Sequence, residues 1–449
     1  MASVRGEFSS RFGFIMAAAG SAVGLGNIWG FPTQAASNGG AAFLFVYLVL
    51  AFVLAYPALM AEIILGRHAH ANAVKALSGV SDNPMTALIG RLGGLFGMIV
   101  ASFILSFYAI VAGWMVAYFL SSLVGLAGLG DAAAWLTGFG LTRNVIFMLL
   151  FMGLTVAIIS AGVREGIERW SSRLMPLLLA TLLALVFYVL TLDGATEGVR
   201  MYLQPDFGSA LSPQLIINAL GSAFFSLSLG VGTMLIYGSY ISDNENLPVA
   251  GGLVTAVDIG IAVIAGFLVL PAMYVALNNG VEIFAADGRL LSEDTLIFTV
   301  LPELFATMGI AGDWVSTTFF FLMSIAALTS SISMLEVPVA YTIENHGVSR
   351  SRAAIVIGCT IAAISMVILL NFSTLFGLVI TVTTRYSQPI LGFLFCIYVG
   401  WIWRRDSLLA ELRKGAPEIT DSLFWKIWPW HLRLVCPAII LLIFLQSVA

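Results

Sequence analysis

Four hydroxyl side chains are clustered in one apolar stretch, AALTSSISMLEVP, residues 326–338. They are Thr329, Ser330, Ser331 and Ser333, and they span about one and a half helical turns. Hydroxyl and carbonyl oxygens are suitable ligands for a dehydrated sodium ion, which is a hard cation. The alternative is that each hydroxyl bonds to a carbonyl of its own helix. We favour the sodium site because interrupted helices occur elsewhere in the chain.

Three acidic residues also lie inside apolar segments, where an ionisable side chain is a functional candidate by default. Asp258 has no basic neighbour in its own segment, so it needs a cation, a proton or donors from elsewhere. Glu336 precedes Pro338, and its side chain could simply reach the membrane interface. Glu62 lies about one turn before Arg67 and could be a structural hydrogen-bonding residue. Of the three, Asp258 is the favoured candidate for a direct functional role.

Two apolar segments are interrupted by small residues. They read AGSAVGLGNIWGFP, residues 19–32, and GSAFFSLSLGVG, residues 221–232. An interior glycine costs a helix about 1 kcal/mol relative to alanine, and lipid cannot satisfy backbone groups that a break exposes. Two such breaks at corresponding positions of two halves predict an inverted-repeat secondary transporter. The alternative is that the small residues only let helices pack closely, which leaves the polar Asn27 unexplained.

The composition places the chain in a membrane. It has 449 residues, 60% hydrophobic and 10% charged, whereas soluble proteins have about 45–50% apolar and about 25% charged residues. Apolar runs of about 18 residues or more recur along it, which predicts an all-α polytopic membrane protein in a single transporter domain. We expect a first repeat over 12–190, a second over 213–403 and an additional helix over 428–447. We predict about eleven membrane spans, at residues 12–35, 41–66, 88–123, 144–161, 166–190, 213–240, 249–278, 313–343, 350–370, 373–403 and 428–447.

The distribution of basic residues predicts the orientation. If the N-terminus is cytoplasmic, all of the 20 basic residues except four lie in cytoplasmic segments, and the four are Arg143, Arg200, Arg289 and Arg385. This is a positive-inside pattern. No lysine follows a glycine-rich loop, so an ATP-driven pump is not expected, and no basic tail suggests nucleic acid as a partner. The three cysteines offer neither a disulfide framework nor metal-ligand spacing.

Four motifs together resemble a known family. AGSAVGLGNIWGFP, NGGAAFLFVYL, FFSLSLGVG and LTSSISMLEVP occur in this order and resemble the neurotransmitter:sodium symporter family, most closely its bacterial amino-acid transporters with eleven spans. The resemblance covers essentially the whole chain. It implies the leucine-transporter fold, with helices 1 and 6 broken, and a monomer or weak dimer in the bacterial inner membrane. It also implies sodium-coupled, alternating-access symport of a hydrophobic L-amino acid, and no enzyme activity. The alternative is a non-transporting amino-acid sensor on the same fold.

The resemblance implies three sets of binding residues. Sodium site one would use the Ala22 carbonyl, Asn27, Ser226, Asp258 and the substrate carboxylate. Sodium site two would use the carbonyls of Gly20, Val23 and Ala326 and the hydroxyls of Thr329 and Ser330. The substrate site would comprise Ser21, Ala22, Leu25, Gly26, Ile104, Tyr108, Phe225, Ser226, Ser228, Val231, Ser330 and Met334.

The identity of residue 24 bears on the substrate. Monoamine-transporting relatives have an aspartate at the position of Gly24, so the resemblance implies a substrate that brings its own carboxylate. Tyr108 and the amides of Leu25 and Gly26 would hold that carboxylate. Val231 is small where some relatives are larger, so a bulky side chain such as Leu, Met, Phe or Trp is expected to fit. Tyr47 and Ser226 match parts of the chloride site of animal members, and Asp258 would replace chloride, which predicts chloride independence. The alternative is that proton release on the return step meets the charge balance.

The chain matches the family at the cytoplasmic gate and departs from it at the outer gate. Arg5 and Glu344, with Ser239 and Tyr240 beside them, match the cytoplasmic gate. Residues 166–176, GIERWSSRLMP, match a segment that unwinds in relatives, although a simple kink is the alternative. Most relatives have arginine at the position of Gly30, and this arginine pairs with an acidic residue. The candidate positions for that acidic residue are Gly377 and Ile380 in this chain. We expect either that Arg385 partly replaces the lost charge or that Tyr108 and Phe225 close the outer gate.

Overall fold

The computed structural model describes residues 6–204, 212–283 and 297–448, and the regular secondary structure in them is helical. Within these described ranges, eight helices are long and apolar enough to cross a membrane, or up to ten if each of two bent pairs forms one span. The helices are α1 Arg11–Ala22, α2 Gly26–Ser37, α3 Ala41–Ala69, α4 Ala73–Ser78, α5 Pro84–Leu126, α6 Gly130–Thr137, α7 Leu141–Ser160, α8 Val163–Val189, α9 Ala195–Leu203, α10 Pro213–Ser226, α11 Thr233–Gly238, α12 Leu247–Asn278, α13 Val300–Thr307, α14 Ile310–His346, α15 Arg350–Leu370, α16 Phe372–Ile402, α17 Arg405–Gly415 and α18 Leu423–Gln446.

Both predicted interruptions are real breaks. The first apolar segment divides into α1 and α2, which meet at an angle of 57°. The sixth divides into α10 and α11, and the connection contains Ser228, Gly230 and Gly232 with φ of 51°, 76° and 82°. A left-handed backbone is strained for a side chain such as serine, whereas glycine adopts it readily. Because α10 and α11 have 14 and 6 residues, they do not qualify as a membrane span by length, and the count of eleven spans stays a prediction.

The two broken segments lie in the interior of a helical bundle. Among the candidate spans, α14 is the most buried and α5 the next, whereas α18 is the least. Small residues allow α1 to approach α14 closely: a Cβ placed on Gly20 would lie 3.1 Å from the Cβ of Thr329. Such contacts through small residues are typical of helix packing in membranes. The bundle therefore brings the break in the first segment against the hydroxyl cluster of α14.

One ion-pair network fastens the surface helix α17 to the end of α3. The buried Arg67 Nε donates to Glu411 Oε1 at 2.7 Å, and Arg67 Nη1 donates to the Glu245 carbonyl at 2.8 Å. Burial alone would raise the pKa of Glu411, but hydrogen bonds from His68, Lys414 and Arg67 outweigh it and lower this pKa to about 2. A charge buried this deeply requires such partners.

Candidate functional site

The hydroxyls of α14 divide into two kinds. Ser330 Oγ reaches across to the first broken segment, where it donates to the carbonyls of Gly20 at 3.3 Å and Val23 at 3.1 Å. Val23 has an extended backbone with ψ of 105°, which ends α1. Thr329 and Ser331 bond instead to carbonyls of their own helix. Ser333 Oγ likewise donates to the Ser330 carbonyl of its own helix, so Ser330 is the hydroxyl of α14 that donates to the first broken segment.

The oxygens assigned to sodium site two lie in one small region. Besides the two carbonyls that contact Ser330, the Ala326 carbonyl accepts a hydrogen bond from Thr329 Oγ1 at 3.1 Å. Thr329 in turn packs against Gly20. Three carbonyls and two hydroxyls form a neutral, all-oxygen donor set, which has the chemistry that a hard monovalent cation requires. These residues therefore fit sodium.

A second polar cluster, buried at the centre of the bundle, joins α2, α10 and α12. Asn27 Nδ2 donates to Ser226 Oγ at 2.8 Å and to Asp258 Oδ1 at 2.7 Å. Ser226 Oγ donates to Asp258 Oδ2 at 2.8 Å, and the Tyr47 hydroxyl donates to Ser226 Oγ at 3.2 Å. No described basic side chain forms a salt bridge with Asp258. A buried carboxylate surrounded by neutral donors fits a site whose counter-charge is a bound cation.

The residues assigned to the substrate surround Gly24, between the two clusters. The Leu25 amide donates to the Tyr108 hydroxyl at 3.5 Å. A Cβ on Gly24 would lie 2.6 Å from Ser330 Oγ and 2.9 Å from the Tyr108 hydroxyl, so any side chain there would displace both groups. The pocket-lining candidates Ile104, Val231 and Met334 are buried.

The remaining substrate candidates lie on the two breaks. The Phe225 side chain is 37% exposed, and its ring approaches Gly26 so closely that a Cβ there would lie 2.9 Å from it. Ser228 Oγ donates to the Ser21 carbonyl at 3.1 Å, and Ser21 Oγ donates to Ser333 Oγ at 2.7 Å. Ala22 is buried at the end of α1. The two broken segments therefore contact each other directly.

Two side chains hold the second break in place. Glu62 Oε1 accepts a hydrogen bond from the Gly230 amide at 2.7 Å, and Gln388 Nε2 donates to the Leu229 carbonyl at 2.9 Å. Glu62 is thus a structural hydrogen-bonding residue, and it bonds to the broken backbone rather than to Arg67. Sequence reasoning missed Gln388, although a buried glutamine within a span is itself a signal of an internal polar contact.

Comparison with known proteins identifies the family. The profile of the sodium:neurotransmitter symporter family matches residues 5–136 and 136–449. The chain belongs to the sodium:neurotransmitter symporter family. Sodium is therefore its coupling ion, and the family to which the chain belongs consists of membrane transporters rather than enzymes.

Individual relatives agree with this assignment. An uncharacterized sodium-dependent transporter of Bacillus subtilis (strain 168) is 33% identical, over 98% of this chain and 97% of its own length. An uncharacterized sodium-dependent transporter of Haemophilus influenzae (strain ATCC 51907 / DSM 11121 / KW20 / Rd) is 31% identical, over 99% of this chain and 98% of its own. The solved structure of MhsT in complex with L-phenylalanine has a TM-score of 0.84 and 36% identity, over 99% of this chain and 100% of that chain. The leucine-transporter fold predicted from the sequence is confirmed.

In this symporter, a network of buried and half-buried groups lies where the resemblance implies the cytoplasmic gate. The Tyr240 hydroxyl donates to Glu336, and Arg350 forms an ion pair with the same carboxylate. Glu336 is fully buried, so the interpretation that it simply reaches the interface is wrong. The Phe8 amide donates to the Tyr240 carbonyl at 3.0 Å. Arg5 lies outside the described residues.

The other gate residues have identified surroundings. Glu344 Oε2 accepts hydrogen bonds from Asn72 through the backbone amide at 3.0 Å and Nδ2 at 2.7 Å. Ser239 Oγ donates to the Ile236 carbonyl at 2.5 Å. On the opposite side, Arg385 is exposed on α16. Described ring contacts do not join Tyr108 to Phe225, and closure of the outer gate by either route stays a prediction.

The segment predicted to unwind is helical in this structure. Residues Val163–Glu168 form a π-helical turn, and α8 continues through Pro176. Glu168 anchors the start of the chain, because it accepts hydrogen bonds from the Ser9 amide at 2.8 Å and the Ser9 hydroxyl at 2.7 Å. π-helical turns occur frequently at functional sites. The segment thus links the residues before α1 to α8, which packs beside the residues of sodium site two.

Proposed function

We propose that the protein is a sodium-coupled symporter of a hydrophobic L-amino acid. The observation that carries this proposal is the position of Gly24 between the Tyr108 hydroxyl and Ser330 Oγ. The chain supplies no carboxylate there, so the substrate's own carboxylate completes the set of ligands around the first sodium ion. The amides of Leu25 and Gly26, at the start of a half-helix, add donors for the same carboxylate.

The apolar pocket supports a hydrophobic side chain. Ile104, Val231 and Met334 are buried beside the polar groups, and Phe225 adds an aromatic face. Burying a large apolar side chain is worth about 1.5–3 kcal/mol, which favours Leu, Met, Phe or Trp over small or charged amino acids. The similarity to MhsT, whose structure contains L-phenylalanine, agrees with this choice.

We further propose the two sodium sites that the resemblance implies. Site one consists of the Ala22 carbonyl, Asn27, Ser226, Asp258 and the substrate carboxylate. Site two consists of the oxygens around Ser330. Asp258 places a carboxyl group next to Tyr47 and Ser226 in the position of the chloride, so transport is independent of chloride.

The remaining sequence predictions complete the proposal. The N-terminus faces the cytoplasm, because most arginines and lysines then lie on that side. Residues 12–190 and 213–403 form two inverted repeats, which brings their broken first helices together at mid-membrane. Arg385 or an aromatic contact closes the outer gate.

Reconstituted vesicles test this function. We expect labelled leucine, methionine, phenylalanine or tryptophan to accumulate when sodium is high outside, and not when potassium replaces it. Replacing chloride by gluconate should leave the rate unchanged. Sodium-dependent binding without accumulation would instead identify a sensor on the same fold, and uptake that ignores sodium would contradict the proposal.

A further inference from the structure

A basic groove lies far from the site described above, at the bend of 101° between α16 and α17. It encloses a cavity of about 270 Å³ that the first part of α18 completes. Sharp bends leave backbone amides without partners inside a helix, and α17 begins at this point without a side-chain cap. The cavity is lined by three arginines and three tryptophans: Arg404, Arg405, Arg433, Trp401, Trp403 and Trp430.

The arginines of the groove have no carboxylate partner among the described residues, whose salt bridges involve other basic groups. The Arg433 guanidinium lies 4.0 Å from the centre of the Trp401 ring. The Arg405 guanidinium lies 5.8 Å from the centre of the Trp430 ring. Arginine next to aromatic rings still has a planar fork of N–H donors, which suits bidentate binding of phosphate.

The rim of the groove is apolar and exposed. The side chains of Trp401 and Trp430 are each about half exposed, and Ile427 and Leu434 beside them are exposed as well. Tryptophan is enriched where a membrane protein meets the lipid headgroups, and aliphatic side chains next to it face the acyl chains. The groove therefore combines a lining of arginines with an exposed apolar rim, which is the combination expected at the level of the lipid headgroups. Asp406, the next residue along α17, is exposed and does not line the cavity.

We propose that this groove binds the phosphate headgroup of an anionic phospholipid, with Arg404, Arg405 and Arg433 as the phosphate ligands. Its acyl chains would pack on the exposed tryptophans. Basic pockets between membrane helices suit such headgroups. A headgroup without a net charge, such as phosphatidylcholine, brings its own cation toward the arginines and binds less tightly. A free phosphate ion lacks acyl chains, so it makes no apolar contact with the rim and should bind less tightly than the lipid.

Native mass spectrometry of the full-length, delipidated protein tests this proposal. Phosphatidylglycerol and phosphatidylcholine are titrated separately. We expect the wild type to bind phosphatidylglycerol more tightly, and each of Arg404→Gln, Arg405→Gln and Arg433→Gln to weaken it about fivefold. The matched control is Arg352→Gln, because Arg352 is exposed at the start of α15 and does not line the groove. It should bind like the wild type.

A competition arm separates the two possible sources of phosphate. Inorganic phosphate at the concentration of the lipid should not displace phosphatidylglycerol, and displacement would show a site for free anions instead. Equal binding of both lipids, or equal losses in the control and the groove variants, would overturn the proposal. Thermal unfolding of each single variant is compared with that of Arg352→Gln, which shows whether the variant is folded. A loss of phosphatidylglycerol binding in a folded single variant then supports the proposal.

Discussion

Adding a methyl group to Gly24 is the perturbation that the structure makes most specific. In Gly24→Ala the new carbon lies 2.6 Å from Ser330 Oγ and 2.9 Å from the Tyr108 hydroxyl, whereas ordinary contacts begin at 3.4 Å. The hydroxyls must therefore retreat by about 0.8 Å and 0.5 Å, the differences from 3.4 Å. Ser330 Oγ then moves away from the carbonyls of Gly20 and Val23. The Tyr108 hydroxyl moves away from the Leu25 amide.

Overpacking of this kind costs about 1–3 kcal/mol. Since about 1.4 kcal/mol corresponds to a factor of ten, the affinity for the amino acid should fall by about 5- to 150-fold. The half-saturating sodium concentration should rise as well, because Ser330 belongs to the proposed second sodium site. Scintillation proximity binding of tritiated L-phenylalanine to purified protein, titrated at several sodium concentrations, measures both effects.

Gly30→Ala is the matched control, because it adds the same methyl group six residues further along the same segment. The nearest atom outside the immediate helix backbone is the Leu25 carbonyl oxygen, 3.9 Å from the added carbon. Alanine also has the higher helix propensity, by about 1 kcal/mol. We expect near wild-type binding. The reasoning is refuted if Gly24→Ala binds within twofold of the wild type, or if both variants lose the same affinity.

Three further predictions concern other groups. Asp258→Asn removes the buried charge, and since hydrogen bonds to a charged group are worth about 1.5–3 kcal/mol, it should raise the half-saturating sodium concentration at least about tenfold in uptake assays. Ser330→Ala removes a hydroxyl whose oxygen is a proposed sodium ligand and whose one proton is shared between two backbone carbonyls; because an interaction with a charged group is worth about 1.5–3 kcal/mol, sodium binding should weaken at least about tenfold. Ser331→Ala, whose hydroxyl bonds to its own helix and to Thr155, should change it little. Glu411→Gln leaves Arg67 buried without its counter-charge and should destabilise the protein by about 3–5 kcal/mol in thermal or denaturant unfolding. Because the pKa of Glu411 is lowered from 4.5 to about 2 on folding, its contribution is complete above pH 4.5 and lost as the pH falls toward 2, and the variant should lack this acid-dependent loss.

The interrupted segments were predictable because their cause is local. Glycines at 20 and 24 and the polar Asn27 make the first apolar segment a poor continuous helix, and the structure breaks it between α1 and α2. Gly30, in the same apolar stretch, lies inside the continuous α2, and Gly20 lies inside α1. The sequence alone does not distinguish a glycine at which a helix ends from a glycine inside a continuous helix.

Contacts between distant parts of the chain could not be predicted in the same way. Arg67 and Glu411 are separated by 344 residues, and nothing in either local sequence names the other as its partner. Because Pro338 follows Glu336, the sequence leaves open that its side chain reaches the interface, but α14 continues through that proline and the carboxylate is buried. Such pairings depend on how helices pack, and hydrophobic periodicity does not specify this when all sides of a helix are apolar.

The central claim is that sodium and the substrate's carboxylate are bound together at the broken helices. Equilibrium binding of L-phenylalanine and of phenethylamine, which lacks the carboxylate, across a sodium titration tests it most directly. The account predicts that sodium raises the affinity for L-phenylalanine, that L-phenylalanine raises the affinity for sodium by the same factor, and that phenethylamine shows neither effect. Equal binding of the two compounds, or an affinity for L-phenylalanine that does not depend on sodium, would contradict it.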